Sequence, residues 1–307
     1  MQNIIYRDQN VTIFQSALYQ TNSTVVVTDD VVLVIDPACL PDEVGAIRQY
    51  VESVRAKRAV FLIFTHSDFD HILGYGAFVA DKVFATRAFA ERLDKDDIVD
   101  QIIDFDQQYY IERSYPLEYP TVDYMIFRDA MQYRHGRTKL TFYTAPGHTS
   151  DSMFIVIWQL GICVSGDYLC STEFPFIRHS SVDYEQTLNK LLHIHDRNWF
   201  TRLIPGHGVP ALSLNDWMKR RVEALAYLYS LRESIARNIP FDEDSLWERY
   251  RFPRTLLQEH RQNVVLMQRE YENGLWKWDQ TISEELFQRR RGLFFPAGDT
   301  DDADDEA

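Results

Sequence analysis

The sequence predicts an α/β protein built in layers and continued by a helical extension. Two observations carry this. Residues 31–35, 41–58 and 59–64 read strand, helix, strand, an order that stacks helices on a sheet. Beyond Ser213 the apolar spacing is helical only.

Short β-branched runs at 11–14, 24–28 and 31–35, with Asp29 and Asp30 as turn residues between the last two, read as antiparallel strands. In 41–58, Val44, Ile47, Val51 and Val54 share one helical face. Asp42 and Glu43 stand in its first turn and Arg55, Lys57 and Arg58 at its end, each sign matching the helix dipole. Residues 59–64 are an apolar run of buried-strand type. The stretch 88–134 is less regular and reads mostly as helix and loop. It carries Asp94, Asp96, Asp97, Asp100, Asp104 and Asp106, then Tyr109, Tyr110, Tyr115, Tyr119 and Tyr124. Strands follow at 140–144, 152–158 and 162–165, and a last short one at 201–204. Before that last strand, Tyr184, Leu188, Leu191, Leu192 and His195 mark one face of a helix.

In the extension, Ser213 and Asp216 resemble a capping pair, and Leu214, Met218, Val222, Leu225 and Leu228 follow at spacings of three and four. Pro240 ends that helix and Pro253 opens another, whose expected buried face is Leu257, Val264, Met267 and Tyr271. The expected division is a layered domain over 1–212, with 88–134 as a candidate lid insertion, a helical extension over 213–295, and a disordered acidic tail over 296–307.

The chain has 307 residues and a formal net charge of −14. Asp299, Asp301, Asp302, Asp304, Asp305 and Glu306 put six of those charges in the tail, which leaves −8 for the body. Such a body lacks the lysine and arginine surplus that phosphate backbones require, so no nucleic-acid partner is expected. Cys39, Cys163 and Cys170 cannot all pair and lack zinc-knuckle spacing, which points to a reduced, cytoplasmic setting. The chain start has no basic-then-apolar leader, and no apolar run nears the ~18 residues of a membrane span, so no membrane partner is expected.

The chemistry concentrates after the buried strand at 59–64. His66, Asp68, Asp70 and His71 crowd one strand-end loop, and buried charges need partners or metals. Imidazole with carboxylate is a donor set for zinc, manganese or iron, although the segment alone also suits a solvated polar cluster. Three more segments at predicted strand ends each carry a glycine beside a potential ligand: Pro146-Gly147-His148, Ser165-Gly166-Asp167 and Pro205-Gly206-His207. There is no Gly-x-Ser-x-Gly elbow and no P-loop, and Gly74-Tyr75-Gly76 lacks the third glycine of a dinucleotide loop.

With these segments in this order, the chain resembles the metallo-β-lactamase fold superfamily over about residues 10 to 210. That family's signature is His-x-His-x-Asp-His, then Gly-His, Gly-Asp and a final Gly-His. The resemblance implies a four-layered αββα sandwich, here with a C-terminal helical extension, and a two-metal site at one edge of the paired sheets. It implies one divalent ion on His66, Asp68 and His148, a second on Asp70, His71 and His207, with Asp167 bridging them and Asp70 as the catalytic carboxylate. Asp68 stands where most members have histidine. A carboxylate still ligates but makes the site harder and more anionic, so iron or manganese stand beside zinc, the first expectation. The flavodiiron branch also has a carboxylate there, but it continues into a flavodoxin domain. Only helical pattern follows His207, so a di-iron redox enzyme is the less favoured reading.

Two divalent ions roughly 3.5–4 Å apart share a hydroxide and polarise a substrate oxygen. The expected function is therefore metal-dependent hydrolysis of an ester-type bond of a small molecule. Within it, a lactonase or thioesterase stands against a phosphodiesterase, and a non-catalytic metal-bound sensing or binding protein stands against both. Glu173, Arg178 and His179 follow Asp167 on a predicted loop and are candidate substrate contacts, with a solvated loop as the alternative. The tyrosines of 88–134 are candidates for a lid over the site, with packing onto the sandwich as the favoured alternative. Cys170 reads as an inert buried thiol and His195 as a core residue; His193 and His195, two apart on a helix, face different directions and cannot share a metal, and His135 and His260 have no supporting pattern. The extension caps the site, forms a homodimer or extends the core; the sequence leaves these three open.

Overall fold

Every residue of Val31–Ile35 and of Met153–Ile157 is buried, so the strands at the heart of this protein are covered on both faces. A computed structural model, which describes residues 3–279 and residue 281, shows how. The first sheet runs in the order β1 (Ile4–Arg7), β2 (Val11–Gln15), β3 (Asn22–Val27), β4 (Val31–Ile35), β5 (Ala59–Ile63), β6 (Lys82–Thr86) and β7 (Tyr124–Ile126). It is antiparallel through β4 and parallel from β4 to β7. The second sheet runs β8 (Met131–His135), β9 (Thr138–Thr144), β10 (Met153–Ile157), β11 (Ile162–Gly166) and β12 (Arg202–Pro205). Its strands are antiparallel except for the β11–β12 pair, so β9, β11 and β12 all point the same way.

Three apolar clusters define four layers. Between the sheets lie Leu33, Ile63, Phe84, Phe142 and Ile155, with the Phe84 and Phe142 rings stacked 5.7 Å apart. Outside the first sheet, Val34 and Leu62 meet Ile47 and Val51 of α1 (Pro41–Arg55), Phe89 of α3 (Arg87–Ala90) and Ile102 of α4 (Lys95–Tyr109). Outside the second, Phe154 and Val156 meet Leu188 and Leu191 of α5 (Ser181–Asn198). Trp217 and Leu228 of α6 (Leu214–Arg237) and Met267 of α8 (Pro253–Glu272) close that cluster. The remaining short helices are α2 (Phe69–Ile72) and α7 (Asp244–Trp247). The arrangement is the expected αββα sandwich with a C-terminal helical extension. Among the described residues, no helix is long and apolar enough to cross a membrane.

Several elements depart from the sequence reading. The stretch 88–134 is not only helix and loop: β7 and β8 lie in it and edge the two sheets. β1 and β6 carry no clear strand pattern and form by pairing with β2 and β5. The buried face of α8 is Leu256, Glu259, His260, Asn263, Met267 and Glu270, whereas Tyr271 is exposed. This face docks through hydrogen bonds that apolar spacing does not reveal. Asn263 accepts from Ile177 N at 2.9 Å and donates to Pro175 O at 2.7 Å, and Glu270 accepts from Ser181 N at 3.0 Å. The end of the extension and the acidic tail lie outside the described residues.

Two expectations follow for stability. Phe84→Ala removes a fully buried ring from the inter-sheet cluster and should cost about 3–5 kcal/mol in urea unfolding. Asp8 ties the β1–β2 turn to Arg202 on β12, at 2.7 Å. Partial burial raises its carboxyl, but hydrogen bonds from Asn10 N, Val11 N, Arg202 and Tyr6 outweigh that and bring it to about 2. A depressed carboxyl stabilises the fold above its unfolded value of 3.8 and stops doing so as pH falls towards 2. Asp8→Asn should therefore weaken the fold at pH 5 and leave it unchanged near pH 2, read by the same unfolding curves.

Candidate metal centre

Four loops leave the carboxyl ends of β5, β9, β11 and β12, and each delivers polar side chains to one edge of the sandwich. His66, Asp68, Asp70 and His71 follow β5, His148 follows β9, Asp167 follows β11, and His207 follows β12. All four histidines and Asp70 and Asp167 are buried. Two glycines are required for this approach. A Cβ at Gly206 would collide with Asp167 Oδ1, and one at Gly147, whose φ is +135°, with the backbone of Tyr184.

The donor atoms form two groups that share Asp167. In the first, His148 Nε2 lies 3.3 Å from both Asp68 Oδ2 and Asp167 Oδ2, and His66 Nε2 lies 3.9 and 3.5 Å from the same oxygens. In the second, His71 Nε2 is 3.7 Å from Asp70 Oδ2 and 3.2 Å from Asp167 Oδ1. His207 Nε2 is 3.5 Å from Asp70 Oδ2 and 3.2 Å from Asp167 Oδ2. The seven residues singled out in the sequence as metal donors thus converge on two adjacent points.

The opposite nitrogen of each ring decides what this cluster can hold. His148 Nδ1 donates to Phe176 O at 2.8 Å and His207 Nδ1 to Tyr19 O at 2.9 Å. His71 Nδ1 donates to Asp36 Oδ2 at 3.1 Å. Thr65 Oγ1 gives its own proton to Asp36 Oδ2 at 2.5 Å and so accepts from His66 Nδ1 at 2.9 Å. Carbonyl and carboxylate oxygens only accept, so each Nδ1 carries the proton and each Nε2 turns a lone pair into the centre. The lone pairs of His71 and His207 face one another at 3.3 Å, and His66 Nε2, His148 Nε2 and Asp167 Oδ1 are buried with no hydrogen bond, only the contacts within the cluster. Such an arrangement needs cations between its donors. The residues present fit divalent metal ions.

The electrostatics agree. Burial opposes charge on His148 and His207, yet Asp167 and Asp68 push His148 up to about 10, and Asp167 with Glu173 pushes His207 up to about 10. Burial raises the Asp68 carboxyl, but Arg178, then His148 and His66, hold it well below the usual carboxylate range.

Glu173 lies within reach of Asp167 and His207, and burial, opposed by His207 and assisted by Asp167, brings its carboxyl to about 7. Glu173 and Arg178 line a cavity of about 480 Å³ above the centre. His179 does not line it and pairs with Asp183 at the start of α5. The cavity's outer wall is Phe252, Leu256 and Glu259 of the extension; no described residue of 88–134 lines it. Tyr119 instead packs on Phe89, and Tyr115 bonds Arg113. Cys170 is buried, and burial raises its thiol well above its ordinary value, which leaves it inert. Sequence reasoning missed Asp36, Thr21 and Glu259. Asp36 had a usable signal, a charge directly after the buried strand β4, the same placement as the metal donors.

The same fold occurs in known proteins. The sequence profile of the metallo-beta-lactamase superfamily matches residues 17–227. Similar solved structures include a metallo-beta-lactamase family protein from Thermus thermophilus, with TM-score 0.56 and 16% identity, over 74% of this chain and 81% of that one. The BLEG-1 B3 metallo-beta-lactamase gives TM-score 0.52 and 18% identity over 70% and 99%. A double mutant of the sec-alkyl sulfatase PisA1 gives 0.57 and 14% over 78% and 45%. Identities this low speak to fold. Curated proteins return no match.

Asp36 orients two of the four rings, directly for His71 and through Thr65 for His66. Asp36→Asn should weaken zinc binding by about 10–100-fold in chelator competition, because the partner of a ligating imidazole sets its tautomer and direction. Unchanged affinity would show that the rings are held by other means.

Proposed function

Because the chain belongs to the metallo-beta-lactamase superfamily, we propose that it is a binuclear metal-dependent hydrolase that cleaves an ester-type bond of a small molecule. The observation that carries this reading is the inward turn of four imidazole lone pairs upon three carboxylates, with buried donor atoms left without hydrogen bonds. In this reading His66, Asp68 and His148 hold one ion, Asp70, His71 and His207 the other, and Asp167 spans both. Zinc is the first candidate, and the carboxylate at position 68 keeps iron and manganese beside it. When bound, such a pair supplies a water acidified towards a pKa of about 7 and polarises the substrate oxygen. Asp70, oriented by a 3.1 Å hydrogen bond from Thr21 Oγ1, would help hold the second ion and is the candidate catalytic carboxylate.

The cavity above the centre favours a carbonyl ester, thioester or lactone over a phosphodiester. Tyr19, Phe69, Phe176, Phe252 and Leu256 give it apolar walls. Its one lining cation among the described residues, Arg178, is engaged by two carboxylates. A phosphate would find no uncommitted positive side chain there. A non-catalytic sensing role is the second reading, which turnover would exclude.

Purified, metal-replete protein should hold two transition-metal ions per chain and hydrolyse p-nitrophenyl carboxylates or lactones faster than bis-p-nitrophenyl phosphate. Chelation should abolish this activity and zinc or manganese restore it. His148→Ala and Asp167→Ala should each lower kcat/KM at least about a hundredfold, since Lewis-acid stabilisation is worth several kcal/mol. Less than one ion per chain after reconstitution would sink the proposal, and two ions without turnover of any substrate in the panel would favour the sensing role.

A further inference from the structure

The loop after β11 brings one more group to the centre, whose role rests on the metal-binding reading above. Arg178 N donates to His148 O at 2.9 Å, and Phe176 O accepts from Nδ1 of the same histidine at 2.8 Å. Residues 176–178 thus hold His148 at two points and launch the Arg178 side chain from a fixed position. Its Nη1 reaches Asp68 Oδ2 at 3.4 Å, and its Nη2 reaches Glu259 Oε1 at 3.6 Å. Glu259 belongs to the buried face of α8, with only 11% of its side chain exposed.

Asp68 Oδ2 is the oxygen that faces His66 and His148, and Asp167 Oδ2 faces the same two nitrogens. Two carboxylates therefore crowd one pair of imidazoles. Like charges so close in a buried site repel, and a carboxylate free to rotate would turn away. The Arg178 guanidinium, 44% exposed and in ion-pair contact with Oδ2, offsets one of the two charges and favours this direction of Oδ2. Glu259 in turn holds the guanidinium from the far side. We propose that Arg178, braced by Glu259 of α8, is a positioning residue for the metal ligand Asp68, and that the helical extension is through this pair a working part of the metal centre. Arg178 acts through Asp68 on the first donor group and makes no ion pair with the second, built on Asp70, His71 and His207.

The test is calorimetric zinc titration of the full chain with chelator competition, which reads the two sites without reference to turnover. Arg178→Met should weaken the first ion by about 10–100-fold and leave the second unchanged, as expected for loss of a group that orients a ligand. Arg178→Lys should restore part of the loss, and Glu259→Gln should show a smaller loss at the same site. Arg261→Met, on the exposed side of α8, should change neither. The deciding comparison uses Asp68→His, whose neutral ring needs no compensating cation. In that background Arg178→Met should leave zinc affinity unchanged or tighten it. Loss of the same size in both backgrounds, or an Arg178→Met chain that binds both ions as tightly as the parent, would overturn the proposal. A raised KM with unaltered zinc affinity would also overturn it and make Arg178 a substrate contact. A parent chain that binds no zinc at all would instead remove the metal-binding reading on which the inference stands.

Discussion

The structure depends on one electrostatic constraint. Four imidazoles and three carboxylates are packed at the edge of a sandwich where little water reaches them, and their donor atoms face one another. Histidine lone pairs 3.3 Å apart, and carboxylate oxygens sharing the same ring nitrogens, are stable together only with positive charge among them. Every ring is turned by a partner on its other side, so the inward direction is imposed from outside the cluster. Asp36, Phe176 and Tyr19 provide those partners from segments 28 to 188 residues away, and Thr65, next to His66, relays Asp36 to that ring.

The sheet topology supplies the positions. β9, β11 and β12 run in one direction because β10 reverses the chain between the first two and a helical crossover joins the last two. Their carboxyl ends therefore fall on one edge, where the end of β5 in the other sheet meets them. The inter-sheet core sets the distance between these ends, so packing of Phe84 on Phe142 and placement of His66 against His148 belong to the same rigid body. Glycines at the turns then let the loops close without a Cβ in the way.

The helical extension is joined to this core by more than apolar contact. Asn263 and Glu270 bind the loop before α5 and the start of α5, and Glu259 reaches Arg178 in the same loop. Phe252 and Leu256 complete the cavity wall. Thr255 and Glu259 line the same cavity, and no described residue of the aspartate- and tyrosine-rich stretch at 88–134 does.

The metal-donor segments were legible in the sequence because each is local: a buried-type strand, a turn glycine, and a histidine or aspartate within three residues of it. The α1 and α5 faces, and the α6 face from Val222 to Leu228, were legible for the same reason, since helical period is written in neighbouring residues, whereas Leu214 is exposed. The short strands β1 and β6 to β8 were not, because a three- to five-residue strand exists through the partner it pairs with. Asp36 was passed over because its partner His71 lies 35 positions later. The face of α8 was misread because its polar contacts are chosen by loops some 90 residues away, and the apolar spacing of Leu257, Val264 and Tyr271 points elsewhere. Chain-local periodicity and turn chemistry settle which residues carry the donors. Which nitrogen of each ring faces inward, and which helix walls the site, are settled by hydrogen bonds and ion pairs that exist only once distant segments are packed together.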